Sequence, residues 1–96
     1  MLKHVVLLQF KADYEEQKLQ ALVGQLNALP DQVPQILSFV HGPDAGVTES
    51  KFDYGVVAEF ASKEDCLAYL AHPAHQAVNA AVRELLADAA HLQFEY

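Results

Sequence analysis

The stretch Leu2 to Phe10, LKHVVLLQF, constrains this chain most. Laid out as a strand, Leu2, His4, Val6, Leu8 and Phe10 point one way and Lys3, Val5, Leu7 and Gln9 the other. Both sets are apolar in the middle. A strand with one wet face alternates apolar and polar residues, so this one is expected to be covered on both faces. The chain has 96 residues, enough for one domain over residues 1–96. A domain of that size buries roughly 60–70% of the surface its unfolded chain exposes. Hydrophobic residues make up 52% of it, so a packed core is within reach and disorder is not expected.

The rest of the pattern supplies the cover. Glu15 to Leu29 reads as a helix, with Leu19, Leu22, Val23, Leu26 and Leu29 on one stripe. Asp13 is its expected N-cap, Glu15 and Glu16 suit its first turn, and Pro30 is expected to end it. Ile36 to His41 reads as a second strand closed by Gly42-Pro43, where His41 is taken as a loop residue. The loop from Asp44 to Lys51 leads to a third strand, Phe52 to Phe60. Ser62 caps a helix that runs to about Ala71, with Asp65 three residues on. Pro73 opens another, which carries Val78, Ala81, Val82, Leu85 and Leu86 on one side. His91 to Tyr96 alternates strictly. The order β-α-β-β-α-β is that of the ferredoxin-like α+β fold, a four-stranded antiparallel sheet with helices on one face. The bare face would expose Val and Leu, and two copies packed sheet to sheet as a dimeric α/β barrel would cover it. Such a barrel either packs solid or encloses a chamber. His4 would project into that chamber if its face is the uncovered one.

Charge and cysteine content exclude several classes. A formal net charge of −7 opposes a nucleic-acid partner and an anionic membrane surface. The single Cys66 forms neither an intrachain disulfide nor a CxxC zinc site, and Glu64 and Asp65 beside it disfavour a reactive thiolate. No leader and no membrane span is read in the chain, so a cytoplasmic protein is expected.

Chemistry concentrates at Tyr69-Leu70-Ala71-His72-Pro73-Ala74-His75. Tyr69 falls in the last turn of one helix and His75 in the first turn of the next, so a bend at Pro73 would turn phenol and imidazole toward one point. Imidazole moves protons near neutral pH, and a phenol donates to a developing oxyanion. The structural alternative is that His72 caps a helix and His75 bonds locally. His4 is either a satisfied core residue or a site residue, and His91 and Gln93 either a solvated face or a polar patch inside the barrel. The lining expected for a ligand pocket between sheet and helices is Val6, Leu8, Tyr54, Val56 and His91. The histidine spacing has no metal-ligand pattern, and no GxGxxG, Walker or GxSxG motif occurs, so neither metal nor cofactor is expected.

Together these segments resemble the stress-responsive dimeric α/β-barrel (Dabb) family. The resemblance spans nearly the whole chain and rests on Lys3-His4-Val5-Val6-Leu7-Leu8-Gln9-Phe10-Lys11, Phe39-Val40-His41-Gly42, Phe60-Ala61-Ser62-Lys63-Glu64 and the Tyr69–His75 segment. It implies a ferredoxin-like subunit that forms a homodimer through its sheets, with many members of unassigned activity, and the favoured expectation is a stress-associated homodimer that binds a small ligand without turnover, a cyclase being the alternative. One branch, olivetolic-acid-cyclase-like, closes linear polyketides by an intramolecular aldol reaction without a cofactor. By that likeness His75 is a general base, Tyr69 its phenol partner and His4 a pocket histidine, acting on a small carbonyl or aromatic ligand. The likeness departs at Ala21-Leu22-Val23-Gly24-Gln25-Leu26, which lacks that branch's aromatic residues, and at His91 and Gln93, which imply a more polar pocket. The related cofactor-independent monooxygenases are a further reading, which the His-Pro-x-His segment opposes.

Overall fold

The computed structural model describes all 96 residues. Its elements are β1 (Leu2–Phe10), α1 (Glu16–Gln32), β2 (Ser38–Pro43), β3 (Tyr54–Phe60), α2 (Lys63–Ala71), α3 (Pro73–Leu85) and β4 (Leu86–Glu95). The four strands form one antiparallel sheet in the order β2-β3-β1-β4. This is the expected ferredoxin-like architecture, with β1 central and the helices on one face.

Several boundaries differ from the sequence reading, each for a physical reason. Helix α1 runs through Pro30 to Gln32. Pro30 lies so near the end that it costs one backbone bond, and the extra turn carries Leu29 and Val33 into full burial. The stop comes from Pro34, which disfavours helical geometry at the residue before it; Val33 sits at φ −121°, ψ 101°. Asp13 is not the N-cap: Lys11 to Tyr14 form a turn, and Glu15 occupies the cap without a side-chain bond. Strand β2 starts two residues later than expected, and His41 belongs to it rather than to a loop. Pro43 can end β2 because an edge strand has one side without a ladder. Strand β4 begins at Leu86, well before the alternating segment, because its register is set by β1 through a bulge at Gln9/Phe10. The alanines of Leu86–Ala90 carry no alternation that a sequence reading could use.

The core lies between the helices and the even residues of β1. Leu2, Leu8 and Phe10 pack with Tyr54, Val56, Ala58 and Phe60 of β3 against Leu22, Leu26 and Leu29 of α1 and Val78 and Leu85 of α3. The opposite face is open. There Val40, Val57, Val5 and Leu92 stand side by side across all four strands, at paired register positions. Val40 and Leu92 are 60% and 61% exposed, so the subunit presents an apolar band of the kind that marks an interface. His4 is on the other face, with Leu2 and Leu8, so it points at the helices and not into any space between two sheets. The imidazole-lined chamber expected between paired sheets is therefore replaced by a cluster inside each subunit.

Candidate functional site

The site is built where α2 ends and α3 begins. The Ser62 hydroxyl accepts from the Asp65 amide and starts α2. His72 then serves both helices: it ends α2 in an extended conformation, as the residue before Pro73 must, and its Nδ1 accepts from the Ala74 amide at 3.0 Å. The resulting bend folds Tyr69 and His75 together, with ring centroids 4.4 Å apart. His75 Nδ1 lies 3.2 Å from the Leu70 carbonyl oxygen. A carbonyl only accepts, so Nδ1 donates, and the lone pair of the neutral ring is on Nε2. Both halves of the structural alternative, a capping His72 and a locally bonded His75, hold in the fold, and the second orients the ring for chemistry.

His4 completes the cluster from β1. Its ring meets Tyr69 edge-on at 6.0 Å, and its Nδ1 is 2.7 Å from the Gln93 side-chain nitrogen across the β1–β4 ladder. Tyr69 is also packed on Phe60, centroids 5.1 Å apart. His4, Tyr69 and His75 are 4%, 2% and 8% exposed. No hydrogen bond within the protein engages the Tyr69 hydroxyl, His4 Nε2 or His75 Nε2. No fully sealed side-chain polar atom lacks a partner, so each of the three retains a little accessible surface. Burial, with the imidazoles of His75 and His91 nearby, pushes the His4 pKa down to about 4. Burial also lowers that of His75, against the opposing pull of the Leu70 carbonyl. Burial raises the Tyr69 phenol, with Cys66 adding to it. Near neutral pH the cluster thus holds two uncharged imidazoles and a protonated phenol, a base and proton donors with no fixed charge.

The expected pocket lining is divided. Val6, Leu8, Tyr54 and Val56 share the helix-facing side with His4, but Leu8, Tyr54 and Val56 are packed into the core. The Tyr54 hydroxyl donates to His41 Nδ1 at 2.8 Å, and His41 Nε2 donates to the Asn27 side-chain oxygen at 2.8 Å. That chain joins β3, β2 and α1 and leaves Tyr54 engaged. His91 lies on the same face, opposite Val6, and is exposed. The open space near the cluster is a groove of about 480 Å³ between α2 and β4, lined by Leu2, Lys63, Cys66, Leu67, Leu70, Gln93, Phe94 and Glu95. Leu70 and Gln93, which hold His75 and His4, form part of its wall. Lys63 and Glu95 pair across it at 3.3 Å. Cys66 is buried, and burial raises its pKa, so its thiol stays protonated for a reason other than the neighbouring carboxylates. No group of three or more His, Cys, Asp or Glu side chains converges as metal ligands do. Sequence reasoning missed the Leu70 carbonyl, a backbone group that no residue type announces. It left Gln93 open, because pairing across 89 residues is set by register alone.

These features define a class: a ferredoxin-like subunit with one helix-covered and one apolar open sheet face, and a buried His–Tyr–His cluster under the helices. The family model for the Stress responsive A/B Barrel Domain (Dabb) matches residues 2–96, and the chain belongs to that family. It is 30% identical over 76 residues to a stress-response A/B barrel domain-containing protein of Arabidopsis thaliana, covering 78% of this chain and 28% of that protein. It is 32% identical over 75 residues to a second, shorter protein of the same description and organism, covering 76% of this chain and 69% of that protein. The chain thus spans little more than a quarter of the first relative. Among solved structures, a dimeric ferredoxin-like protein of unknown function from Thermobifida fusca superposes with a TM-score of 0.89 at 26% identity, covering 99% of this chain and 90% of that one. Hydroxynitrile lyase from Passiflora edulis superposes with a TM-score of 0.85 at 15% identity, over 97% and 90% of the two chains, a likeness of fold alone. No helix is long and apolar enough to cross a membrane.

Proposed function

We propose that this protein is a homodimer whose subunits each hold a small carbonyl compound at the His4–Tyr69–His75 cluster and close it by a cofactor-independent intramolecular aldol step. The observation that carries the reading is three polar atoms without protein partners on residues more than nine-tenths buried. The clustering of three such rings, each with a polar atom that keeps some accessible surface and has no protein partner, beside a ring oriented by the Leu70 carbonyl, supports a site for a small ligand.

In the proposed step His75 Nε2 removes a proton from the carbon next to a carbonyl. The C–H electron pair forms the enolate, whose oxygen accepts the Tyr69 O–H hydrogen bond. The enolate carbon attacks a second carbonyl of the same molecule, a C–C bond forms, and the new alkoxide takes the proton back from the His75 imidazolium. Every atom is conserved and no oxidant enters. The apolar band Val40-Val57-Val5-Leu92 supports pairing through the open sheet faces.

The test is turnover of a linear β-polyketone by the purified dimer. His75→Ala is expected to abolish cyclisation while leaving the dimer intact. Tyr69→Phe is expected to lower kcat about 10²–10³-fold, with stability changed by less than about 1 kcal/mol because its hydroxyl bonds nothing. Activity should fall as pH drops through the folded-state pKa of His75, which lies on the acid side of 6.5. Equal turnover by wild type and His75→Ala would overturn the proposal. A second reading is favoured by the packing of Leu8, Tyr54 and Val56, which leaves little room for a long substrate. In it the cluster binds a small carbonyl or aromatic ligand without turnover, and the melting temperature rises with ligand while no product forms.

A further inference from the structure

The structure assigns Gln93 as the positioning residue that fixes which nitrogen of His4 carries its proton, making His4 a hydrogen-bond donor rather than a second base. This rests on the acid–base reading above and deepens it. Gln93 stands directly opposite His4 in the β1–β4 ladder, with its side-chain nitrogen 2.7 Å from His4 Nδ1. With the amide nitrogen turned toward it, Nδ1 is the acceptor of this pair. A neutral imidazole has one ring proton, which then resides on Nε2. His75 is held the opposite way: the Leu70 carbonyl takes its Nδ1 proton and leaves Nε2 as a lone pair.

The two histidines, alike in sequence, therefore present opposite faces to chemistry. His4 Nε2–H and the Tyr69 O–H are donors, and His75 Nε2 is the one acceptor. Enolate formation asks for that set: two donors at the oxygen where charge develops and one base at the carbon. The reverse amide orientation would place the Gln93 oxygen on Nδ1, move the His4 proton there and give the cluster two lone pairs and one donor. The groups that face His4 are Tyr69, His75 and His91 as well as Gln93, and none of them carries a fixed charge. Its low pKa keeps the ring neutral near pH 7, so its tautomer, and not its charge, is what Gln93 decides. Gln93 is exposed and lines the α2–β4 groove, so its substitution leaves the core untouched.

The experiment is ¹⁵N NMR of the histidine ring nitrogens in unliganded wild type, Gln93→Leu and Gln93→Glu, paired with turnover of the same β-polyketone. Wild type is expected to show His4 protonated at Nε2. Gln93→Leu should show a mixture of tautomers. Gln93→Glu offers only acceptors, so the proton should move to Nδ1 or the ring become cationic with a raised pKa. Where the proton moves to Nδ1, loss of the defined donor should lower kcat in Gln93→Glu by about 10²-fold with KM little changed; where the ring becomes cationic, Nε2–H is kept and the acid limb set by His75 should move to lower pH. His4 protonated at Nδ1 in wild type, or an unchanged tautomer in Gln93→Glu, would overturn the inference while leaving His75 as the base. Absence of turnover in every form, wild type included, would instead overturn the aldol reading, and the NMR pattern would still decide the role of Gln93.

Discussion

Burying a neutral His4 makes stability depend on pH, and the sign follows from which state holds more protons. The folded-state pKa is about 4 against 6.5 when exposed. Between those values the unfolded chain binds a proton that the folded chain refuses, so stability rises with pH through that window. The contribution is complete above 6.5 and is lost as pH falls toward 4. The fall from 6.5 to about 4, at about 1.36 kcal/mol per pKa unit, bounds the effect near 3 kcal/mol. About 2 kcal/mol of that bound falls between roughly pH 7 and pH 5. The ring keeps some contact with solvent at Nε2, which screens the penalty, so about 1 kcal/mol is the expected loss over that interval. The assay is urea unfolding of wild type and His4→Leu at about pH 7, 6 and 5, at one fixed protein concentration because the proposed dimerisation adds a mass-action term. Groups remote from the cluster titrate alike in both proteins, so the difference between the two pH slopes reports His4 together with its coupling to His75 and His91. Wild type should lose about 1 kcal/mol more than the variant on acidification. Parallel slopes would refute the reasoning, whatever the absolute stabilities, because they would mean that His4 already takes up its proton in the folded state.

Two further outcomes test the frame around the site. Ser62→Ala removes the one side chain that caps α2 and should cost about 1 kcal/mol, a fall of roughly 4–8 °C in Tm; an unchanged Tm would mean that water caps the helix equally well. Val57→Asp places a charge in the middle of the four-strand apolar band, and sedimentation at micromolar concentration should show a species of one chain's mass. A dimer that survives this change would place the interface elsewhere.

The site was legible in proportion to how local its parts are. Tyr69 and His75 stand six residues apart, and His72-Pro73 between them announces a helix break, so their meeting at 4.4 Å follows from spacing and proline stereochemistry. His4 and Gln93 carry no such sign. Each is a polar residue on a strand, and only the antiparallel register of the first and last strands makes them partners. The face of β1 was the harder matter. Its even and odd residues are both apolar, so the pattern that demanded cover on both sides could not say which side the helices take. Pro30 misled for a related reason: a local rule about proline yielded to the tertiary gain of burying Leu29 and Val33.

Element order, the Ser62 cap of the second helix and the need for a second covered sheet face were determined by the sequence itself, because hydrophobic period and turn chemistry act over a few residues. Which face holds His4, which nitrogen of each imidazole is free, and that the His4–Tyr69–His75 cluster sits under the helices of one subunit were decided only by the folded chain. Those facts depend on register and on backbone carbonyls brought together from distant segments, and a side chain's identity contains neither.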